Sequence, residues 1–282
     1  MLKQLKKISD SIYILPHYSV TDRPTLGVIS GTKYSLIVDA GNSYAHADLF
    51  NQQIQELNLQ QTKALVNTHW HWDHCFGNSY YNIPIIANNY TKTEIEKQSR
   101  HSFTDLALDK RVKEGAEIEF CAEHIKKEYP DPNRVIKMKI PDQIIDGKTE
   151  IDLGNLTCVL ESVDSDHCEQ NLLVFIPEQK VLFIGDALYM NLYAKEWNYT
   201  TEKLFPFLEK LASYNAEIIV GSHSDPLSKT AYLKYFDELR TIGNIVKDKG
   251  DNYEKIMDGL NAINFSFDDY TKEIIKAFIA GL

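Results

Sequence analysis

The sequence predicts an α/β fold in which two β-sheets pack face to face with helices on their outer sides. Three observations carry this. Runs of apolar, β-branched and aromatic residues recur in both halves of the chain, and each group is followed by segments with helical apolar spacing. With 43% hydrophobic and 25% charged residues among 282, there is enough apolar side chain to bury a sizeable core. No apolar run approaches the roughly 18 residues of a membrane span, and no internal repeat or low-complexity segment interrupts the pattern. The chain therefore reads as one layered domain over residues 1–282, although its length alone would also allow two.

The elements follow in order. Ser11–Leu15, Thr25–Ser30 and Tyr34–Val38 read as strands, with Gly31-Thr32 breaking the second from the third. Tyr44–Leu57 is helical, with Ala47, Phe50, Ile54 and Leu57 on one face. Lys63–Asn67 and Ile83–Ala87 are short apolar strands. Residues 88–132 change character: the stretch from Asn88 to Lys127 is highly charged, lacks proline and spaces its apolar residues for two or three helices, and Pro130 and Pro132 close it. We expect this stretch to be a helical insertion that forms a lid or pocket wall, the alternatives being a dimer contact or a solvated helical pair. Strands are expected again over Arg134–Ile145, Leu156–Val163, Leu172–Ile176 and Val181–Ile184, the last two joined as a hairpin. A helix over Thr200–Tyr214, a strand over Glu217–Gly221, a long helix over Ser228–Lys249 and two shorter helices complete the chain.

Thirty basic against forty acidic residues leave a formal charge of −10, which disfavours a nucleic-acid partner because such a surface repels phosphate backbones. No membrane association is expected. A small-molecule substrate is the expected partner, and a homodimer is compatible with the sequence. The N-terminus carries lysines, but Ser9, Asp10 and Ser11 interrupt any apolar segment behind them, so no secretory signal is read. Cys75, Cys121, Cys158 and Cys168 are scattered without a C-x-x-C pair, as expected for reduced thiols in a cytoplasmic protein.

Three of the nine histidines fall within six residues, His69-Trp70-His71-Trp72-Asp73-His74. Chance alone would place such an H-x-H-x-D-H pattern with odds on the order of one in a thousand. A segment leaving a strand sends alternate side chains to one side, so His69 and His71 can grip one metal ion. The chain must then turn, delivering Asp73 and His74 to a neighbouring position, while Trp70 and Trp72 point into packing. Further donors should come from loops that follow apolar strands. Three positions fit: His167 after Leu156–Val163, Asp186 closing Val181–Gly185, and His223 closing Glu217–Ser222.

With these residues in view, the chain resembles the metallo-beta-lactamase superfamily of hydrolases. The resemblance rests on Leu36-Ile37-Val38-Asp39-Ala40-Gly41, on His69–His74, on the segment around His167, on Leu182-Phe183-Ile184-Gly185-Asp186 and on Gly221-Ser222-His223, over roughly residues 11–226 without the insertion. It implies a four-layer αββα sandwich with two metal ions at one edge of the sheets. By this resemblance His69, His71 and His167 hold the first ion; Asp73, His74 and His223 hold the second; Asp186 bridges them, and Asp39 supports the cluster from behind. One departure stands out: Asp166 replaces the glycine usual before the third histidine. Tyr189, three residues after Asp186, resembles a substrate-contacting tyrosine of the N-acyl homoserine lactonases in the same superfamily. Packing on the sheet edge is the other reading of that ring. Tyr193, Trp197 and Tyr199 add aromatic density suited to a pocket wall or to the core.

Two divalent ions, zinc by donor chemistry with manganese and iron as alternatives, would leave room for a bridging water activated toward a substrate carbonyl or phosphoryl oxygen. The expected function is hydrolysis of a small ester, lactone or thioester by a metal-bridging hydroxide, with Asp73 also orienting the nucleophile. Beta-lactamase or phosphodiesterase activity at the same site, a mononuclear iron oxygenase, and a non-enzymatic metal-binding module are the competing readings. Cys75 and Cys168 are expected to be inert, and His17, His46, His101 and His124 to lie at the surface.

Overall fold

A computed structural model describes residues 3–282, so Met1 and Leu2, the start of the lysine-bearing N-terminal stretch, lie outside the described residues. The N-terminal sheet contains β1 (Lys6–Ser9), β2 (Ile12–Leu15), β3 (Leu26–Ser30), β4 (Ser35–Val38), β5 (Thr62–Val66), β6 (Ile85–Asn88) and β7 (Gln143–Ile145), in that spatial order. The C-terminal sheet contains β8 (Lys148–Asp152), β9 (Thr157–Val163), β10 (Asn171–Ile176), β11 (Val181–Gly185), β12 (Ile218–Gly221) and β13 (Leu227–Ser228), in the order β13-β12-β11-β10-β9-β8. β4 to β7 run parallel to one another, as do β11 and β12; the other pairings are antiparallel.

Strict alternation of side chains sorts the core into layers. Along β4, Leu36 and Val38 face the opposite sheet while Ile37 faces outward; along β11, Val181 and Phe183 face inward while Leu182 and Ile184 face outward. The inward set meets in a central core with Ile12, Ile14, Leu160, Leu172 and Val174. Outside the first sheet, Ala47, Phe50 and Ile54 of α1 (Tyr44–Gln55) cover Leu26, Val28 and Leu65. The second sheet's outer face is covered by helices from the C-terminal part of the chain, whose Leu208, Leu211, Tyr232, Phe236 and Phe278 are buried against it. The result is the four-layer αββα sandwich.

A short helix, α2 (Trp72–Cys75), follows β5. The stretch 88–132 holds three helices, α3 (Asn89–Gln98), α4 (Asp105–Lys113) and α5 (Glu119–Glu128), around a small core of Ile95, Phe103, Leu108 and Ile125 that also takes in Trp72 and Phe76. It is fastened to the first sheet's side of the molecule by an ion pair in which the Arg23 guanidinium donates to the buried Glu128 carboxylate at 2.7 Å, and by the Tyr129 hydroxyl donating to the Asn42 carbonyl at 3.1 Å. The chain ends with α6 (Thr201–Ser213), α7 (Lys229–Lys249), α8 (Tyr253–Ala262) and α9 (Asp269–Ala280). No described helix is long and apolar enough to cross a membrane.

Several expectations need correction. Of Arg134–Ile145 only Gln143–Ile145 pairs as a strand; the preceding residues run extended and pack Ile136, Met138 and Ile140 on the insertion core. β1 and β8 were not expected, because their sequences, KKIS and KTEID, are polar edge strands without a buried apolar face. His46 and His124 are buried rather than at the surface. His124 Nδ1 donates to the Phe120 carbonyl one helical turn back, 2.8 Å away, and His46 packs its ring against Gly41.

Candidate metal centre

The carboxyl ends of β4, β5, β11 and β12 and the loop after β9 meet at one edge of the sandwich, and each delivers a polar group there. Two backbone bonds stitch the sheets together at this edge: Leu172 N–H donates to the Thr68 carbonyl at 2.7 Å, and Thr25 N–H to the Ser222 carbonyl at 2.7 Å. Their effect is to fix residues far apart in sequence against one another. Gly185 lets the two sheets approach closely here. It adopts φ +55°, and a Cβ there would lie 2.7 Å from the Thr68 hydroxyl.

All seven predicted donors converge. Ligand atoms of His69, His71, His167 and Asp186 lie within 4.8 Å of one another, and so do those of Asp73, His74, Asp186 and His223. Asp186 belongs to both sets: its Oδ2 is 3.9 Å from His69 Nε2, 3.7 Å from His167 Nε2, and 3.3 Å from both His74 Nε2 and His223 Nε2. Asp73 Oδ2 stands 3.1 Å from His74 Nε2 and from His223 Nε2. His71 Nδ1 and His167 Nε2 are 2.9 Å apart.

The far sides of the His167 and His74 rings are held by the protein. His167 Nδ1 is 3.0 Å from the Met190 carbonyl, an acceptor that assigns the proton to Nδ1 and leaves the Nε2 lone pair facing the cluster. His74 Nδ1 is 2.8 Å from Asp39 Oδ2. Asp39 also accepts from Thr68 N–H and from the Thr68 hydroxyl, each at 2.8 Å, and holds a left-handed φ of 61°. That backbone conformation is uncommon for a residue with a side chain and is maintained here by three hydrogen bonds.

Electrostatics divides the imidazoles. Burial pushes His69, His71 and His167 below the ordinary histidine value, with neighbouring imidazoles adding to the effect at His69 and His71, so these three present neutral rings. Burial acts the same way on His74 and His223, but Asp73 and Asp186 (with Asp39 at His74) overcome it and hold both rings well above that value. Asp186 answers in kind: burial would raise it, yet His223 and His74 hold it well below the carboxylate range.

A divalent ion fits this donor set. His69 Nε2 and Asp186 Oδ1 are buried without a hydrogen-bond partner, a costly arrangement for polar atoms unless a ligand satisfies them. Imidazole and carboxylate donors without thiolate suit zinc, manganese or iron. Cys75 and Cys168 flank the cluster but turn away. Their thiols donate to the carbonyls of Trp70 and Glu169, and burial pushes the Cys168 thiol up to about 12.

Two further residues complete the surroundings. Asp22, a further carboxylate at the edge of the cluster, places Oδ1 3.3 Å from His223 Nδ1 and sits at φ 55°. Burial, then the charge of Asp73, pushes its carboxyl up to about 7. A single carboxylate in a loop gives no signal in sequence, since its partner lies about two hundred positions away. Asp166 faces away from the donors and accepts from Thr200 N–H at 3.0 Å and its hydroxyl at 2.7 Å, anchoring the entry to α6. This explains how a side chain is accommodated where glycine is usual.

Above the donors lies a cavity of about 330 Å³ lined by His71, Asp73, His167, Asp186 and His223 on one side and by Ile118, Phe120, Leu192 and Trp197 on another. Tyr189 lines it too, its ring centroid 6.1 Å from those of His167 and His223 and its N–H donating to the Asp186 carbonyl at 2.8 Å. Tyr193 packs between the cavity and Trp70, whose ring lies against His71 rather than pointing away from it. Trp72 is buried against Phe76, as expected. Tyr199 belongs to the core and donates its hydroxyl to the Leu188 carbonyl.

A family model described as the metallo-beta-lactamase superfamily matches residues 24–223. Among solved structures, the chain is similar to a metallo-beta-lactamase from Pontibacter korlensis, with TM-score 0.57 and 19% identity over 83% of this chain and 97% of that one. A metallo beta lactamase from Hirschia baltica gives 0.58 and 14% over 84% and 97% respectively. A stereoselective inverting sec-alkylsulfatase from Pseudomonas sp. gives 0.62 and 12% over 98% of this chain and 47% of that one. At these identities the likeness is one of fold. No curated protein sequence matches significantly.

Proposed function

This chain belongs to the metallo-beta-lactamase superfamily, and from that premise we propose that it is a zinc-dependent hydrolase of small esters, lactones or thioesters. One observation carries the reading: two complete donor sets share Asp186 beneath a cavity whose far wall is apolar. His69, His71 and His167 would hold one ion, Asp73, His74 and His223 the other, with Asp186 common to both. Metal ions bound there would supply an activated water and a Lewis acid for the scissile carbonyl.

The chain's own residues contribute orientation. Asp73 is fixed by His74 and His223 and faces the cavity, where it accepts a hydrogen bond from the attacking water and aims its lone pair. Tyr189 has a neutral phenol, raised by burial and then by Asp186, so it donates to the substrate oxygen on which charge develops. Completeness of the second donor set favours a dinuclear hydrolase over a mononuclear oxygenase. The test is metal quantification on purified protein coupled to a hydrolysis screen over lactones, thioesters, carboxylic esters and phosphodiesters. We expect two zinc ions per chain and turnover of neutral acyl substrates. One iron per chain with oxygen uptake, or two metals with no turnover of any substrate, would overturn the proposal.

A further inference from the structure

The side of the cavity away from the donors is unusual in what it lacks. Ile118 and Phe120, from the approach to α5 and its first turn, face Leu192 and Trp197 from the loop after Asp186, and among the described residues no lysine or arginine lines the space. The nearby guanidinium of Arg111 does not line it: Nη1 donates to the Ser102 carbonyl at 2.7 Å, the group stacks 5.1 Å from the Phe103 ring centroid, and Nη2 is buried without a hydrogen-bond partner. The Tyr193 hydroxyl donates to the Glu117 carboxylate at 3.3 Å. The charged groups that do line the cavity are the carboxylates of Asp22, Asp73 and Asp186 and the imidazoles beside them.

Phe120 and Trp197 remain 41% and 49% exposed, a large apolar surface at the rim of a polar cleft. A substrate with a charged group on its distal end would have to desolvate that charge against hydrocarbon without a counter-ion. A hydrocarbon chain would instead cover these side chains and remove them from water.

We propose that the group attached to the scissile carbonyl is an uncharged, apolar chain that lies against Ile118, Phe120, Leu192 and Trp197, making the helical insertion and the loop after Asp186 together the chain-length and charge selector of this enzyme. This deepens the hydrolase reading and rests on it. Chain-terminal carboxylates, phosphates and sulfates are rejected at the wall.

The zinc-loaded protein is assayed on thioesters of increasing linear acyl length and on the same acyl groups ending in a carboxylate. We expect kcat/KM to rise about fourfold per added methylene until the wall is covered. The carboxylate-ended series should fall at least tenfold below its neutral counterpart. In Phe120→Ala and Trp197→Ala the rise per methylene flattens, and Phe120→Lys narrows the gap between the charged and neutral series.

A binding readout free of turnover accompanies this. Methyl octyl ketone, and the same ketone carrying a carboxylate at its chain end, are titrated while tryptophan fluorescence is followed in the wild type and in Phe120→Ala. Tighter binding of the neutral ketone, weakened in the variant, supports the wall even if every thioester resists hydrolysis, in which case it is the hydrolase reading that fails. Active hydrolysis with a flat dependence on chain length and equal binding of the two ketones overturns the wall and leaves the hydrolase reading standing.

Discussion

His74 and His223 are each backed by a carboxylate on the nitrogen that faces away from the cluster, Asp39 at 2.8 Å and Asp22 at 3.3 Å. Such a partner fixes tautomer and ring orientation and strengthens the facing nitrogen as a donor. Asp22→Asn should therefore weaken the second metal about 10- to 100-fold while leaving the first in place. Competition against a chromophoric chelator reads both affinities, and two unchanged constants would show that the loop alone orients His223. Tyr189→Phe is a different experiment, because the ring and its packing are retained. We expect kcat/KM to drop about tenfold, the worth of one hydrogen bond, with metal content unaltered. The seven donors were legible in sequence because they cluster in one motif or stand directly after apolar strands. Asp22 was not, and neither was the burial of His46, since nothing near either residue distinguishes a buried side chain from a solvated one.

At the level of elements, the insertion matters because it supplies one wall of the cavity, and beside its apolar contacts with Trp72 and Phe76 its polar attachment centres on Glu128. Glu128 has a side chain only 3% exposed and accepts from Arg23 through Oε1 and Oε2 at 2.7–3.2 Å, with the Ser43 hydroxyl also donating to it. Removing the cation leaves a buried carboxylate without a counter-ion, a loss of roughly 3 kcal/mol. Arg23→Ala should lower the melting temperature and, in hydrogen exchange, speed the amides of residues 88–132 before those of the two sheets. Uniform acceleration across the chain would contradict this. Elements with strong periodicity, such as α1, α7, β10 and β11, could be placed from sequence alone. β1, β8 and the extended run before β7 could not, because edge strands are stabilised by backbone pairing and carry little apolar signal, and because Ile136, Met138 and Ile140 alternate like a strand while packing on helices.

On the scale of the whole molecule, the donor cluster is also a fastening between two sheets, since His69–His74 follow the first while His167, Asp186 and His223 follow strands of the second. An ion that binds only the folded arrangement stabilises it by mass action, by about 4 kcal/mol when free metal is a thousand times Kd. Chelation should accordingly lower the melting temperature, and the size of the drop should depend on pH. His74 and His223 are held above the ordinary value by Asp73 and Asp186, so without metal these ion pairs contribute stability that is fully present below the unfolded histidine value. That contribution is lost as pH rises through the raised folded value. Metal uptake must displace the same protons, and metal affinity therefore falls as pH falls. Both effects act in one direction: the difference in melting temperature between metal-loaded and chelated protein should be largest in mild base and shrink toward mild acid. Calorimetric scans of the two forms at several pH values, free metal held constant, measure that difference. A gap that widens on acidification would mean that His74 and His223 do not carry the protons that the metal displaces.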